Sequence, residues 1–147
     1  MPPPRVVVRR SPIHGRGLFA NRDIATGADV IEFGGALVPW SRVRLHRERS
    51  GETAAHTFLF DVGDGLVIDG GRNGNSARWI NHSCEPNCEA VLDGHRVLIV
   101  AARNIAAGEE LFLDYQLELD HEPDAEEAAL YACACGAPSC RSTMLHI

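Results

Sequence analysis

The chain has 147 residues, 45% of them hydrophobic, with a formal net charge of −6. That length and apolar content fit one domain with a packed core and exclude a disordered chain. The acidic balance argues against a nucleic-acid binder and suits a basic protein or peptide partner. Arg5-Val-Val-Val-Arg9 is the first strand candidate, followed by a glycine-punctuated turn at His14-Gly15-Arg16-Gly17. A second strand is expected over Asp29 to Phe33, and a short helix over Trp40 to Arg49, where Trp40, Val43 and Leu45 or His46 share a face. Thr57 to Asp61 and Leu66 to Asp69 read as β-runs around Gly63-Asp64-Gly65. Glu89 to Leu92 and His95 to Ala101 flank Asp93-Gly94, a pair that supplies the positive φ of a tight hairpin turn. Glu110 to Asp114 is the last strand candidate, and residues 116 to 128, with six acidic side chains, read as a solvated linker and a short helix.

Many short strands and no alternating βαβ pattern predict a mostly β fold and argue against a Rossmann nucleotide fold. Arg22-Asp-Ile-Ala-Thr-Gly27 and Arg103-Asn-Ile-Ala-Ala-Gly108 agree at four of six positions. They predict one turn geometry used twice, since two copies cannot stack into a solenoid. No apolar run approaches the roughly 20 residues of a membrane helix. The first residues, Met1-Pro2-Pro3-Pro4-Arg5, lack the apolar stretch of a secretory signal. A soluble intracellular protein with no membrane contact is therefore expected, cytoplasmic or at nuclear or host chromatin.

The five cysteines are an odd set, spaced for metal rather than for a disulfide framework. Cys133, Cys135 and Cys140 crowd the tail as three sulfur donors, and structural zinc takes four. Cys84 is the favoured fourth, with Cys88, His121 and His146 as competitors. Cys88 otherwise reads as a small, nearly inert side chain. All fourteen basic residues are arginine. Codon bias explains this most simply; the functional alternative is a lysine-modifying enzyme that offers itself no target.

Three segments carry the chemistry. Gly15-Arg16-Gly17 lets a backbone approach a ligand closely. Gly74 to Asn87 is dense in polar groups yet flanked by apolar residues, so its hydrogen-bond demands are high. Gly108-Glu-Glu-Leu-Phe-Leu-Asp114-Tyr115 is a strand ending in an acid and a tyrosine. With Asn81-His82-Ser83-Cys84-Glu85-Pro86-Asn87 and the C-x-C-x4-C tail, the chain resembles the SET-domain protein lysine methyltransferases over roughly residues 5 to 145. The resemblance implies small curved sheets with few short helices and a knot-like crossing of the Asn81 and Tyr115 segments. It implies a SET domain over 1–115, an acidic linker over 116–132 and a post-SET zinc segment over 133–147. No cysteine-rich pre-SET region is expected before it, which makes the domain a minimal version.

By position, the resemblance implies that His14, Gly15, Arg16 and Gly17 hold S-adenosylmethionine together with Asn81 and His82. Tyr115 matches the catalytic tyrosine. Cys84, Cys133, Cys135 and Cys140 match the ligands of one structural zinc ion. The implied activity is methyl transfer to lysine in a protein, a histone or histone-like tail being the commonest substrate. The alternatives are a weak or inactive SET-like peptide-binding module and a zinc-dependent interaction domain. A minimal domain is also compatible with a homodimer. The bland readings make Asp114 a buried acceptor, Arg78 an ion-pair partner and Trp79 a core residue. Two departures stand out. Leu113 fills a position where the family commonly has phenylalanine or tyrosine, which points to more than one methyl group added. Phe58 or His56 stands where a pocket tyrosine is expected, so the ring of tyrosines is thin.

Overall fold

A computed structural model describes residues 5–13, 15–42, 59–115, 124–129, 137–138 and 140–143. Among the described residues, ten short strands form four small sheets. The strands are β1 (Val6–Arg10), β2 (Arg16–Ala20), β3 (Asp29–Glu32), β4 (Ala36–Pro39), β5 (Leu59–Gly63), β6 (Leu66–Asp69), β7 (Asn81–His82), β8 (Cys88–Asp93), β9 (Arg96–Ala101) and β10 (Phe112–Leu113). The described helical segments are residues 40–42, a 3-10 turn at Ser76–Trp79 and α1 (Ala125–Ala129). The mostly β expectation holds.

β1 and β2 form a hairpin, β4-β6-β5 and β3-β9-β8 form antiparallel sheets, and β7 lies parallel to β10. Sequence reading missed β2 and β4. β2 lies where glycines suggested only a turn, and β4, with Pro39 at its end, is too short for alternation to show. The β8–β9 hairpin is present, but Asp93 pairs with Arg96, so Gly94 and His95 form the turn. Gly94, at φ 62°, supplies the positive φ while Asp93 stays in the ladder. Of the strand expected over Glu110 to Asp114, Phe112–Leu113 pairs with β7, while Glu110 bridges Phe19 and Leu111 N–H donates to Leu18 C=O at 2.7 Å. The expected helix beyond residue 42 lies outside the described residues.

The twin Arg-x-Ile-Ala-x-Gly segments pair with each other around a pseudo-two-fold axis. Ile24 and Ile105 exchange both backbone hydrogen bonds at 2.8 Å. Ala20 N–H donates to Glu109, as Ala101 N–H donates to Ala28. The Asn104 side chain accepts from Thr26 N–H, and Asp23 accepts from Ala107 N–H, both at 2.9 Å. Gly27 and Gly108 close the turns at φ 81° and 92°, a region that penalises side chains. One turn geometry is thus used twice, and the copies bind each other.

The core gathers Leu18, Ile24, Val30, Phe33, Ile68, Val97, Ile99, Ile105 and Leu111 from the β1–β2 hairpin, the β3-β9-β8 sheet and the paired turns. Each large aliphatic side chain buried this way contributes roughly 1.5–3 kcal/mol. A smaller cluster of Val38 and Val67, with Trp40 and Leu59 against it, covers the β4-β6-β5 sheet.

Candidate active site

The buried polar side chains mark the site. Among the described residues Ser11, His82, Ser83, Asn87 and Glu110 are the buried polar ones, and all five lie at or beside the β7–β10 pair. Such groups are tolerated in a core only when hydrogen-bonded. Asn87 does this for the backbone: its amide donates to Glu110 C=O and accepts from Phe112 N–H, both at 2.8 Å. Ser83 N–H donates to Leu113 C=O at 3.0 Å, which continues the ladder. The Asn81 and Tyr115 segments are therefore side by side, as the crossing requires.

Glu110 organises the side facing the glycine loop. Its carboxylate accepts from Ser11 Oγ at 2.8 Å and from Asn81 Nδ2 at 2.9 Å. The same Asn81 amide donates to Arg16 C=O at 3.1 Å. A Cβ placed on Gly17 would lie 2.4 Å from Glu110 Oε2, so Gly17 must be glycine for this carboxylate to fit. The sequence suggested a glycine opened for a ligand; the structure shows a carboxylate in that space. Glu110 escaped sequence reading because Glu109 and Glu110 look alike in the chain. Alternation does not single it out either, since the buried Leu111 and Leu113 are in phase with Glu109.

His82 and Tyr115 form the centre. Tyr115 N–H donates to His82 Nδ1 at 3.0 Å, so Nδ1 is unprotonated and the ring proton sits on Nε2. Burial holds the imidazole below its ordinary pKa, with Asp114 opposing and Arg141 reinforcing the shift. Nε2 faces Cys84 Sγ at 3.5 Å. The two rings meet edge to face, 5.2 Å between centroids. The Tyr115 hydroxyl donates to Ile80 C=O. Burial, aided by Glu110, pushes its pKa far above the usual phenol value.

Asp114 is an acceptor, as the bland reading had it. Both its oxygens take N–H groups of Arg141, at 2.7 and 2.9 Å. Arg141 was not foreseen; its only signal was its place directly after Cys140. Trp79 is half-buried rather than core, with Arg16 5.5 Å from the ring centroid and Arg78 at 4.9 Å. Arg78 thus stacks on an aromatic face.

A cavity of about 390 Å³ lies beside Tyr115. Phe33, Phe60, Ile80, Leu113 and Tyr115 supply apolar walls, and Arg78, Glu89 and Asp114 supply charge. A second, open recess of about 530 Å³ lies along Val8, Arg9, Arg10, Gly15 and Arg16. The structure thus brings Arg16, Gly17, Asn81, His82 and Tyr115 together around the crossing. His14, Phe58 and His56 lie outside the described residues, as do His121, His146, Cys133 and Cys135.

Residues 15–116 match the family profile described as the SET domain. The chain belongs to the SET-domain family. The SET domain here is 43% identical, over 141 residues, to a protein named histone-lysine N-methyltransferase trithorax from Drosophila virilis. That match covers 92% of the chain and 4% of the relative. It is 41% identical over 138 residues to an H3 lysine-4 specific histone-lysine N-methyltransferase from Mycosarcoma maydis, covering 90% of the chain and 9% of the relative. The chain therefore spans a small part of the length of these relatives. A solved structure described as ctPRC2 in an autoinhibited conformation bound to S-adenosylmethionine superposes with a TM-score of 0.69 at 33% identity. That likeness covers 75% of the SET domain's chain and 15% of the other.

Cys84 and Cys140 are the proposed zinc ligands within the described residues. Cys84 Sγ accepts Arg141 N–H at 3.3 Å, and Cys140 Sγ accepts Ser142 N–H at 3.4 Å. The tail therefore returns to Cys84, and each sulfur accepts a backbone N–H. Within the described residues two thiols of the expected donor set thus lie on adjoining segments. Among the described residues no three metal-ligating side chains cluster; Cys133 and Cys135 lie outside them. Cys88 is fully buried and its thiol is pushed up to about 11, chiefly by desolvation. That environment makes it a poor ligand.

Proposed function

We propose that this SET domain is an S-adenosylmethionine-dependent protein-lysine N-methyltransferase acting on a histone or histone-like tail. The observation that carries the reading is the Tyr115 hydroxyl, tied to Ile80 C=O beside an apolar cavity at the β7–β10 crossing. The names and the bound S-adenosylmethionine of the relatives support it. When bound, S-adenosylmethionine supplies the methyl group.

A free lysine has a pKa of about 10.4, and an apolar cavity disfavours the ammonium form. Phe33, Phe60, Ile80 and Leu113 provide that environment. The neutral amine can then take the methyl group in line, if donor and nitrogen are held about 3–3.5 Å apart. Tyr115 stays a neutral phenol, because burial raises its pKa. It orients the reacting groups and does not act as a strong base. Asn81, His82 and the Gly15–Gly17 loop would hold the cofactor, with Arg9, Arg10 and Arg16 near enough to that loop to meet its carboxylate. Cys84 and Cys140 would bind one structural zinc ion with Cys133 and Cys135, away from the transferred methyl. The carboxylate of Glu89 at the cavity rim suits a cationic peptide. Leu113 brings no hydroxyl to the cavity, which favours addition of more than one methyl group.

Incubation with labelled S-adenosylmethionine and a panel of lysine peptides tests the reading. Tyr115→Phe is expected to lower the transfer rate by roughly 10²-fold, the scale at which lost alignment is felt. Cofactor binding without transfer to any lysine would favour the peptide-binding module instead.

A further inference from the structure

We propose that Arg141, in the tail, is a positioning residue for Tyr115. It rests on the reading above that Tyr115 serves methyl transfer. The two strands of the β7–β10 pair run parallel, so their chains leave at the same end. Cys84 follows β7 and Asp114 follows β10. Arg141 bonds to both exits. Its backbone N–H donates to Cys84 Sγ at 3.3 Å, and its guanidinium forks onto both oxygens of Asp114 at 2.7 and 2.9 Å. A forked guanidinium–carboxylate pair fixes orientation as well as distance. The pair is largely shielded, the side chains being 25% and 16% exposed, so water competes little for it.

Asp114 lies between Leu113, a wall of the cavity, and Tyr115. Fixing its carboxylate fixes the backbone that leads into Tyr115. That backbone donates the Tyr115 amide to His82 Nδ1 at 3.0 Å and aims the phenol at Ile80 C=O. The His82 ring in turn meets Cys84 Sγ through Nε2. Arg141 thereby closes a ring of contacts: Arg141 to Asp114, along the chain to Tyr115, across to His82, on to Cys84, and back to Arg141. The tail reaches the reacting centre by this route without touching substrate. The leg from the Arg141 guanidinium through Asp114 to Tyr115 passes through no sulfur, whereas the return leg ends on Cys84 Sγ.

Arg141→Lys separates this role from a merely structural one. Lysine keeps the backbone N–H to Cys84 and the positive charge but loses the fork. The expected result is unchanged zinc content and unchanged S-adenosylmethionine affinity, with kcat lowered about tenfold and peptide KM little altered. In amide-resolved NMR of the whole chain, the Tyr115 N–H should shift and exchange with solvent about tenfold faster. Asp114→Asn should give the same changes, and the double variant no further loss. A Tyr115 amide unmoved in folded Arg141→Lys would overturn the proposal. So would a zinc loss proportional to the activity loss, which would place the effect at the metal. If the parent chain transfers no methyl group at all, the functional reading fails, and the NMR comparison still decides what Arg141 does to Tyr115.

Discussion

Gly17 and Glu110 show how tightly single residues define the site. Gly17→Ala would push a methyl into the Glu110 carboxylate, which Ser11 and Asn81 hold in place. Overpacking of this kind costs about 1–3 kcal/mol. We expect a lowered urea midpoint for Gly17→Ala and weaker S-adenosylmethionine binding in titration calorimetry. Cys88 gives a contrasting expectation. Its buried thiol, pushed up to about 11, stays protonated near neutral pH. In the native protein it should resist iodoacetamide until the chain is unfolded. Glu109 supplies the pH test. Arg103 and the Ala106 N–H hold its carboxyl below the usual carboxylate range. A depressed folded pKa gives stability that is present above the unfolded value and is lost as pH falls through the folded one. The stability gap between the parent chain and Glu109→Gln should therefore close on acidification. The gap itself should be small, because solvent screens the pair.

At the scale of elements, the two Arg-x-Ile-Ala-x-Gly turns hold each other. Asp23 caps the turn at Ala107, and Asn104 caps the turn at Thr26. Asp23→Ala and Asn104→Ala should each cost about 1 kcal/mol, as a lost turn hydrogen bond does. Urea melts should show the larger loss for Asn104→Ala, whose oxygen also accepts from the Thr26 hydroxyl at 3.0 Å; a larger loss for Asp23→Ala would contradict this. The repeat was legible in the sequence because its residues match by eye; its self-pairing was not, since pairing is a long-range fact. The same contrast runs through the site. Asn81, His82 and Tyr115 could be picked out because the motifs around them resemble those of a known family; taken singly, His82 and Tyr115 read as packing residues. Glu110 and Arg141 could not, because an inward carboxylate and a forked arginine differ from surface charges only in their surroundings. The β8–β9 hairpin was visible from Asp93-Gly94, yet its turn fell one residue later, since local propensity does not fix register. β7 is two residues long, too short for any periodicity to announce it, whereas β10 lies within the strand expected over Glu110 to Asp114.

For the whole molecule, the tail and the crossing form one unit. The residues from Cys140 to Ser142 sit against Cys84 and Asp114, so the end of the described chain is joined to its middle. Zinc bound by Cys84, Cys133, Cys135 and Cys140 would tighten that joint. Cys84→Ser should lower zinc content by metal analysis and slow methyl transfer, whereas Cys88→Ser should leave zinc in place; equal losses would mean a different ligand set. No described helix is long and apolar enough to cross a membrane. The core that includes Leu18 and Leu111 also takes in Ile80 and Leu113, so the β7–β10 pair is anchored in it. Mass spectrometry of a histone H3 amino-terminal peptide after incubation with S-adenosylmethionine tests the central claim most directly. The account predicts methyl additions on lysine, more than one per residue, that are nearly lost in Tyr115→Phe. A peptide of unchanged mass in the presence of protein that demonstrably binds S-adenosylmethionine, repeated across other lysine-containing tails, would contradict it.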